Sequence, residues 1–341
     1  MSDSSDVLNV GIDLGTSRSA ISASNGQQHL IDSYVGWPLD MVSRKILKKD
    51  ILIGAEAVEA RSMVELHRPL ERGLIREGSE KDLTAVREIL QSLLALAGVP
   101  KKGKKPKVRA VVGIPAEAMR VNKQQLRNVL KGTVDALMIV SEPFAVAYGL
   151  DALLHSLVVD IGAGTTDFCV MRGRLPTEED QRTLTTAGDS IDELLLRLIQ
   201  QSYPDAQITV FMVREWKERF GFVGKPQQKI TVTAPIQGRP TQLDITDPLR
   251  TACESLVEPI AETLLDLLPR IEPEFQEKVR NTIILSGGTS QIPGLRKALQ
   301  DALKPIGGGT IKAVKNPIFD GSDGGLAIAL DALDSEWDKL G

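Results

Sequence analysis

The chain has few of the side chains that build metal centres or disulfide frameworks. Its 341 residues include two cysteines and three histidines, and none of these lie at the close spacings of a metal site. We therefore expect Cys169 and Cys253 to form no disulfide, which fits a protein of a reducing cytoplasm.

Long apolar runs and a strong net charge are also lacking. No run approaches the roughly 18 residues that span a membrane, and the start MSDSSDVLNV has neither the basic nor the apolar part of a signal peptide. The net charge of −4 argues against nucleic acid as the main partner. With 42% apolar and 25% charged residues, the composition predicts a folded cytosolic protein, and the length predicts two domains.

One short phrase occurs twice in the chain. The copies read VGIDLGTSRSAISAS (10–24) and VVDIGAGTTDFCVMRG (158–173), so that Asp13 and Asp160 each end an apolar run. The pattern predicts a strand, a tight glycine turn and a return strand. Exposed amides of such a turn form an anion-binding nest. Two facing turns, each with one carboxylate, are suited to a phosphate chain bound with a divalent cation.

Apolar periodicity predicts strands and helices that alternate in two similar halves, each opening with a glycine-turn hairpin. Strands are predicted within 8–33, 108–115, 136–143, 228–245 and 281–288. Helices are predicted over about 80–98 with Ser79 as N-cap, 120–131, 143–153, 188–202, 208–220, 247–269, 324–337, and from 294 onward. Segment 34–69 is predicted to form a small inserted subdomain. The order of strands and helices along the whole chain predicts a duplicated α/β fold.

A third glycine phrase, IILSGGTSQIPGL (283–295), predicts a strand, a Gly-Gly-Thr turn and a helix start. Gly287 and Gly288 leave a surface without side chains, against which a flat base or ribose can lie. A glycine pair after a strand is weak evidence by itself, because ordinary turns use glycine too. As the third member of an ordered set it becomes a strong signal.

Together these phrases resemble the superfamily of actins, heat-shock chaperone ATPases and sugar kinases. The first resembles its first phosphate motif, the second its second phosphate motif, and the third its adenosine motif. Two more segments, SEPFAVAYGLD (141–151) and WKERFGFVG (216–224), resemble the connecting helix and the segment that reaches the nucleotide sugar and base. The resemblance covers about residues 8–335, nearly the whole chain.

The resemblance implies the actin-like ATPase fold, with two duplicated ribonuclease H-like domains and a nucleotide in the cleft between them. Domain I would comprise residues 1–148 and 320–341, with an inserted subdomain at about 34–69. Domain II would comprise residues 149–319, with its inserted subdomain at about 188–250.

Within the superfamily the chain resembles bacterial actins. The segment YVGWPLDMVSRKIL (34–47) is similar to the actins that organise magnetosomes, and cell-shape and plasmid-segregating actins are the competing groups. The resemblance implies ATP or ADP and Mg²⁺ as cofactors, and self-association into cytoplasmic filaments beside magnetosomes and their proteins. No direct membrane anchor is evident, because the polar start MSDSSD offers no amphipathic helix. A non-polymerising ATPase switch and a small-molecule kinase remain alternatives.

The resemblance also implies roles for individual residues. Asp13 and Asp160 would hold Mg²⁺, largely through its water shell, and Glu142 with Asp160 would serve catalysis, Glu142 by orienting the attacking water. The first turn would face the β-phosphate through Gly15, Thr16 and Ser17. The second would face the γ-phosphate through Gly162, Ala163, Gly164, Thr165 and Thr166. The residues that would contact the nucleoside are Lys217, Glu218, Gly287, Gly288, Thr289 and Ile292.

Each of these residue types also has an ordinary structural role. Asp13 and Asp160 could cap their turns, and Glu142 could be an acid favoured by a helix dipole. Lys217 and Glu218 could belong to a solvated helix face. These alternatives stay open at the level of sequence.

Overall fold

The computed structural model describes residues 7–75, 79–100, 103 and 105–340, so the polar start MSDSSD lies outside the described residues. The strands are β1 (Val7–Leu14), β2 (Arg18–Ala23), β3 (Gln28–Asp32), β4 (Val35–Pro38), β5 (Leu52–Ile53), β6 (Val64–His67), β7 (Leu70–Glu71), β8 (Leu74–Ile75), β9 (Lys107–Ile114), β10 (Ala136–Ser141), β11 (Leu154–Ile161), β12 (Thr166–Arg172), β13 (Gln181–Leu184), β14 (Thr231–Ile236), β15 (Arg239–Asp244), β16 (Ile283–Ser286), β17 (Ile311–Ala313) and β18 (Asp338–Lys339). The helices are α1 (Met41–Leu47), α2 (Ala55–Glu59), α3 (Glu80–Leu96), α4 (Ala116–Leu130), α5 (Glu142–Gly149), α6 (Gly188–Ser202), α7 (Val210–Phe220), α8 (Thr246–Glu254), α9 (Val257–Leu267), α10 (Pro273–Arg280), α11 (Leu295–Ala302) and α12 (Asp320–Asp331).

The chain divides into two compact units. Unit 1 contains Met1–Leu154, Met171–Thr183 and Asn316–Gly341, and unit 2 contains His155–Val170 and Leu184–Lys315. Each unit has its own apolar core of buried aliphatic side chains. Since burial of apolar surface is the main favourable term in folding, each core accounts for the cohesion of its unit.

Unit 1 is built on a sheet of strand order β18-β10-β9-β1-β2-β3. β1 pairs antiparallel with β2 through the first glycine turn, and it runs parallel to β9, which runs parallel to β10. Helix α12 approaches β1 and α5 very closely, because glycines line the contact. A Cβ atom on Gly11 would lie 2.0 Å from the carbonyl oxygen of Ser322, and one on Gly324 would lie 1.8 Å from that of Ala145.

The segment predicted as an inserted subdomain forms a small sheet of order β5-β4-β6, accompanied by α1 and α2. Contacts with α3 hold this sheet. His67 Nε2 lies 2.5 Å from Oδ1 of the buried Asp82, and the Lys81 ammonium lies 5.2 Å from the centre of the Trp37 ring. The inserted segment is therefore anchored to α3 by charged side chains as well as by apolar packing.

The second sheet has the strand order β13-β12-β11-β16-β17. β11 runs parallel to β16, and β16 runs parallel to β17. Helices α6, α8 and α9 supply much of the core of unit 2, while β14 and β15 form a separate hairpin. Cys169 and Cys253 are both buried here and neither is in a disulfide, which confirms that prediction, and burial raises the pKa of the Cys253 thiol to about 11.

The helix over 188–202 and the Ser79 cap are confirmed, since α6 has those bounds and the Ser79 side chain accepts from the Asp82 amide. The continuous helix predicted over 247–269 is wrong, because α8 ends at Glu254 and α9 begins at Val257. Pro259 accounts for the break. In an uninterrupted helix its ring would clash with the carbonyl four residues earlier.

Two of the other predicted helices end well before the residue predicted for their C-terminus. The last one, predicted over 324–337, begins earlier at Asp320 and ends at Asp331, and Asp338–Lys339 pair with β10 instead. The helix predicted over 143–153 ends at Gly149, whose Cβ position lies only 2.9 Å from the Gly324 Cα. Among the described residues, no helix has the length and apolarity that crossing a membrane requires.

The glycine contact between α5 and α12 generates a stability prediction. We expect Gly324→Ala to lower the free energy of unfolding by about 3 kcal/mol or more, because backbone atoms of Ala145 occupy the place of the new methyl group. Thermal and denaturant unfolding would measure the change. Gly288→Ala is the matched control, since a Cβ there would have no neighbour within 4 Å. Equal stability of both variants would contradict the prediction.

Candidate functional site

The first glycine turn joins β1 to β2 in unit 1. Asp13 lies near the end of β1, opposite Ala20 in the antiparallel register, and Thr16 lies in the turn itself and is buried. Arg68 Nε donates to the Thr16 carbonyl over 2.8 Å, and the Gly73 amide donates to Thr16 Oγ1 over 2.9 Å. The segment returning from the inserted sheet therefore fixes the first turn.

Other residues of this turn are partly exposed. The carbonyl oxygen of Gly15 accepts from the Ser33 hydroxyl over 2.7 Å, and Gly15 and Ser17 are both half-buried. Arg18 lies exposed at the start of β2, with its Nε 3.5 Å from an Asp32 carboxylate oxygen. The turn is thus held by hydrogen bonds, while Gly15 and Ser17 remain partly exposed.

The Asp13 carboxyl is withdrawn from water, which raises its pKa. Burial away from water disfavours the ionised carboxyl and raises its pKa to about 7. Oδ2 of Asp13 lies 3.0 Å from the position that a Cβ on Gly321 would take, so the first turn of α12 packs against this carboxyl. Asp320, the neighbour of Gly321, also has a pKa raised to about 6 by burial and then by the charge of Asp323. A cation bound here would relieve the cost of both charges.

Glu142 lies at the same edge of the sheet as Asp13. In the parallel registers Asp13 is opposite Gly113, and Gly113 is opposite Val140, two residues before Glu142. Carboxyl ends of parallel strands are where open α/β sheets bind ligands. Glu142 is the first residue of α5, is half-buried, and has its Cγ 3.6 Å from the Cβ position of Gly113. Unit 1 therefore brings Asp13 and Glu142 to one edge.

The second and third glycine turns meet in unit 2, although 127 positions separate Gly162 from Thr289. Asp160 on β11 is opposite Ser286 on β16, and a Cβ on Gly287 would lie 2.3 Å from Asp160 Oδ1. The Thr289 hydroxyl donates to the Gly162 carbonyl over 2.7 Å. The third phrase thus packs directly against the second turn and its carboxylate.

The residues of these two turns differ in exposure. Gly162 closes its turn by donating to the Thr165 carbonyl over 2.9 Å, and the buried Thr166 hydroxyl donates to the Thr186 carbonyl over 2.8 Å. Gly162 and Ala163 are half-buried, whereas Gly164, Thr165 and Thr166 are buried. Gly288 is exposed, and Ile292 is half-buried against the core.

Lys217 and Glu218 are neighbours on α7, but their side chains lie in different environments. Glu218 is exposed, whereas the Lys217 side chain is only 10% exposed. Its Nζ lies 2.7 Å from an oxygen of Asp192 and donates to the Gly188 carbonyl over 2.8 Å. Both partners belong to α6, whose residues no motif of the sequence had singled out.

Each of the two turns, taken by itself, has an oxygen donor of the kind that a magnesium ion binds. Each turn presents one strand-end carboxylate, and Mg²⁺ binds oxygen donors while keeping much of its water shell. A cation at the first turn would offset the cost of ionising Asp13, whose pKa burial raises. Within the described ranges, no three His, Cys, Asp or Glu side chains cluster closely enough to hold a metal by themselves.

Comparison with known proteins identifies the family. The family model described as MreB/Mbl protein matches residues 7–317. The chain belongs to the MreB/Mbl family. Actin-like protein MamK of Paramagnetospirillum magneticum is 39% identical over 98% of this chain and 95% of its own length. MamK of Magnetospirillum gryphiswaldense is also 39% identical, over 98% of this chain and 92% of its own length.

Solved structures of MamK have the same fold as this MreB/Mbl-family chain, which confirms the predicted actin-like α/β fold. A MamK double helical filament superposes with a TM-score of 0.92 at 38% identity, covering 96% of this chain and all of that one. A non-polymerising MamK mutant bound to AMPPNP gives a TM-score of 0.72, with 96% and 99% of the two chains covered.

The raised pKa of Asp13 predicts a pH-dependent effect of substitution. Folding raises this pKa from 3.8 to about 7, so the carboxyl contributes most to stability below about pH 4 and progressively less until about pH 7. In metal-free buffer we expect Asp13→Asn to raise the melting temperature relative to wild type near pH 8, and to do so less near pH 4. Thermal scans across this range would measure the difference. A difference that stays constant with pH would contradict the assignment.

Proposed function

We propose that this MreB/Mbl-family chain binds and hydrolyses Mg–ATP and polymerises into cytoplasmic filaments that position magnetosomes. The observation that carries the proposal is the match to a MamK filament subunit at a TM-score of 0.92, with 38% identity over 96% of the chain. The AMPPNP-bound MamK mutant supports a nucleotide as ligand. The proposed domain I (1–148 and 320–341) and domain II (149–319) differ in their bounds from units 1 and 2, because unit 1 also contains Met171–Thr183.

The proposed nucleotide site uses both phosphate turns on the phosphate chain of one ATP. Asp13 and Asp160 would hold Mg²⁺ through its water shell, and the bound ion would neutralise phosphate charge during hydrolysis. Backbone amides of the first turn would contact the β-phosphate and those of the second the γ-phosphate. Glycine turns are suited to this because their amides converge on an anion.

Glu142 is proposed to orient the attacking water. Its support is the register that brings the ends of β1, β9 and β10 to one edge of the sheet, with Glu142 directly after β10. A carboxylate at hydrogen-bonding distance from a water can position it and accept its proton. The exposed Glu218 and the glycine surface of Gly287 and Gly288 would meet the ribose and adenine.

Hydrolysis would couple to assembly through the state of the bound nucleotide. ATP-bound subunits would add to a filament, and hydrolysis with phosphate release would loosen the contacts between subunits. Filaments of this kind would link and align magnetosomes together with the proteins that attach to them.

Sedimentation combined with phosphate release tests the proposal. Purified protein would be incubated with Mg–ATP at a series of concentrations, and pelleted protein and released phosphate would be measured on one sample. We expect pelleting above a threshold concentration, accompanied by phosphate release. Phosphate release without a pellet at any concentration would instead indicate a non-polymerising ATPase switch.

Glu142→Ala should separate turnover from assembly. We expect this variant to bind ATP and to pellet as wild type does, while phosphate release falls by about 100-fold, the contribution typical of a general base. Its filaments should persist because hydrolysis no longer loosens them. Phosphate release at the wild-type rate would remove Glu142 from the mechanism.

Asp160→Ala should impair magnesium-dependent hydrolysis. The loss of a carboxylate at the second turn should raise the Mg²⁺ concentration required for half-maximal phosphate release. A titration of Mg²⁺ at fixed ATP would measure this shift, with Asp205→Ala as a control that removes an exposed carboxylate from the same unit. An unchanged Mg²⁺ requirement would count against the role of Asp160.

A further inference from the structure

A buried pair of opposite charges lies beside the first turn of α6 in unit 2. Lys217 Nζ is 2.7 Å from Oδ1 of Asp192, and the two side chains are 10% and 1% exposed. Arg214 Nε donates to the other oxygen of Asp192 over 3.0 Å. Removing a lysine and an aspartate from water is costly even when they pair, so stability alone does not account for a charge pair in this position.

Lys217 reaches the second phosphate turn through a single peptide group. Its Nζ donates to the carbonyl oxygen of Gly188 over 2.8 Å. The amide of the same peptide group, that of Asp189, donates to the carbonyl of Ala163 over 2.7 Å. An ammonium on the carbonyl side polarises a peptide and strengthens its N–H as a donor. The Gly188–Asp189 peptide is thus held by a charge at one end and by the second turn at the other.

Close packing around the Gly188–Asp189 peptide restricts its movement. The Gly188 amide donates to the Gly162 carbonyl over 3.2 Å, and the same carbonyl accepts from the Thr289 hydroxyl over 2.7 Å. A Cβ on Gly188 would lie 2.7 Å from Thr289 Oγ1 and 3.3 Å from the Cα of Ala163. The start of α6 therefore meets the second and third glycine turns at one point, and movement of its first peptide would move the second turn.

We propose that Lys217 and Asp192 are positioning residues for the second phosphate turn. Their charge pair fixes the Gly188–Asp189 peptide, and this peptide fixes the turn in the conformation that receives the terminal phosphate of the nucleotide. This inference rests on the proposed ATP site. It differs from direct contact of Lys217 with ribose and adenine, because the ammonium already donates to the Gly188 carbonyl and forms an ion pair with Asp192.

Nucleotide binding distinguishes a positioning role from direct contact. Lys217→Met and Asp192→Asn should each weaken Mg–AMPPNP binding by about ten-fold, the effect of one charge-assisted hydrogen bond, and leave Mg–ADP within about two-fold of wild type. Isothermal titration calorimetry would measure both affinities. Lys229→Met is the matched control. It removes the same charge in the same unit from an exposed pair with Asp244, and it should change neither affinity.

Two outcomes of the titrations would overturn the proposal. Equal weakening of AMPPNP and ADP by Lys217→Met, with Asp192→Asn like wild type, would make Lys217 a direct ligand of the nucleoside. Wild-type affinities in both variants would show that the charge pair does not act on the turn.

A double variant guards against loss of folding in the single ones. Removing one partner of a buried pair leaves the other charge uncompensated, whereas removing both is often neutral for stability. We expect Lys217→Met combined with Asp192→Asn to melt near the wild-type temperature and still to bind AMPPNP about ten-fold more weakly. Recovery of wild-type AMPPNP affinity in the double variant would overturn the proposal.

Hydrogen exchange tests the same contact without nucleotide. In the ligand-free protein, we expect the Asp189 amide to exchange about ten-fold faster in Lys217→Met than in wild type, because its peptide has lost the ammonium. Unchanged protection of this amide would contradict the positioning role. A wild-type protein that bound no nucleotide would refute the proposed function, and the exchange result would still report on the turn.

Discussion

Close backbone approach at a few glycines is the constraint on which both glycine turns with a strand-end carboxylate depend. At Gly287 a Cβ would lie 2.3 Å from the carboxylate of Asp160, and at Gly11 it would lie 2.0 Å from the backbone of α12. Any side chain at these positions would separate the elements that hold each carboxylate. The third glycine phrase therefore allows the third turn to pack on Asp160. In the proposed site, the exposed Gly288 would also offer the nucleoside a surface without a side chain.

The backbone of each turn is also held by hydrogen bonds from neighbouring segments of its own unit. In unit 1 the carbonyl and hydroxyl of Thr16 accept hydrogen bonds from Arg68 and Gly73, in the segment that returns from the inserted sheet. In unit 2 the Asp189 amide donates to the carbonyl of Ala163, and the Lys217 ammonium donates to the carbonyl of the same peptide group. Preorganised amides of this kind need not rearrange when an anion arrives, which is the source of their electrostatic advantage.

Much of the fold follows from local patterns, and the failures have identifiable causes. Periodicity gave α6 its bounds because its apolar positions repeat at helical spacing. The break before α9 was readable from Pro259, but the early start of α12 was not. Gly321 and Gly324 disfavour a helix by propensity, and only packing against β1 and α5 stabilises one there. At the site, spacing predicted the carboxylates and glycines, whereas the pairing of Lys217 with Asp192 joins two helices and has no local signature.

If both turns act on one magnesium nucleotide, their carboxylates should be energetically coupled. A double-mutant cycle with Asp13→Asn, Asp160→Asn and the combination would measure this coupling, using the affinity for Mg–AMPPNP. The account predicts that the double variant loses less binding energy than the sum of the single losses, by about 1 kcal/mol or more, because either substitution already weakens the hold on the same ion. Losses that add to within about 0.5 kcal/mol would mean independent sites and would contradict it.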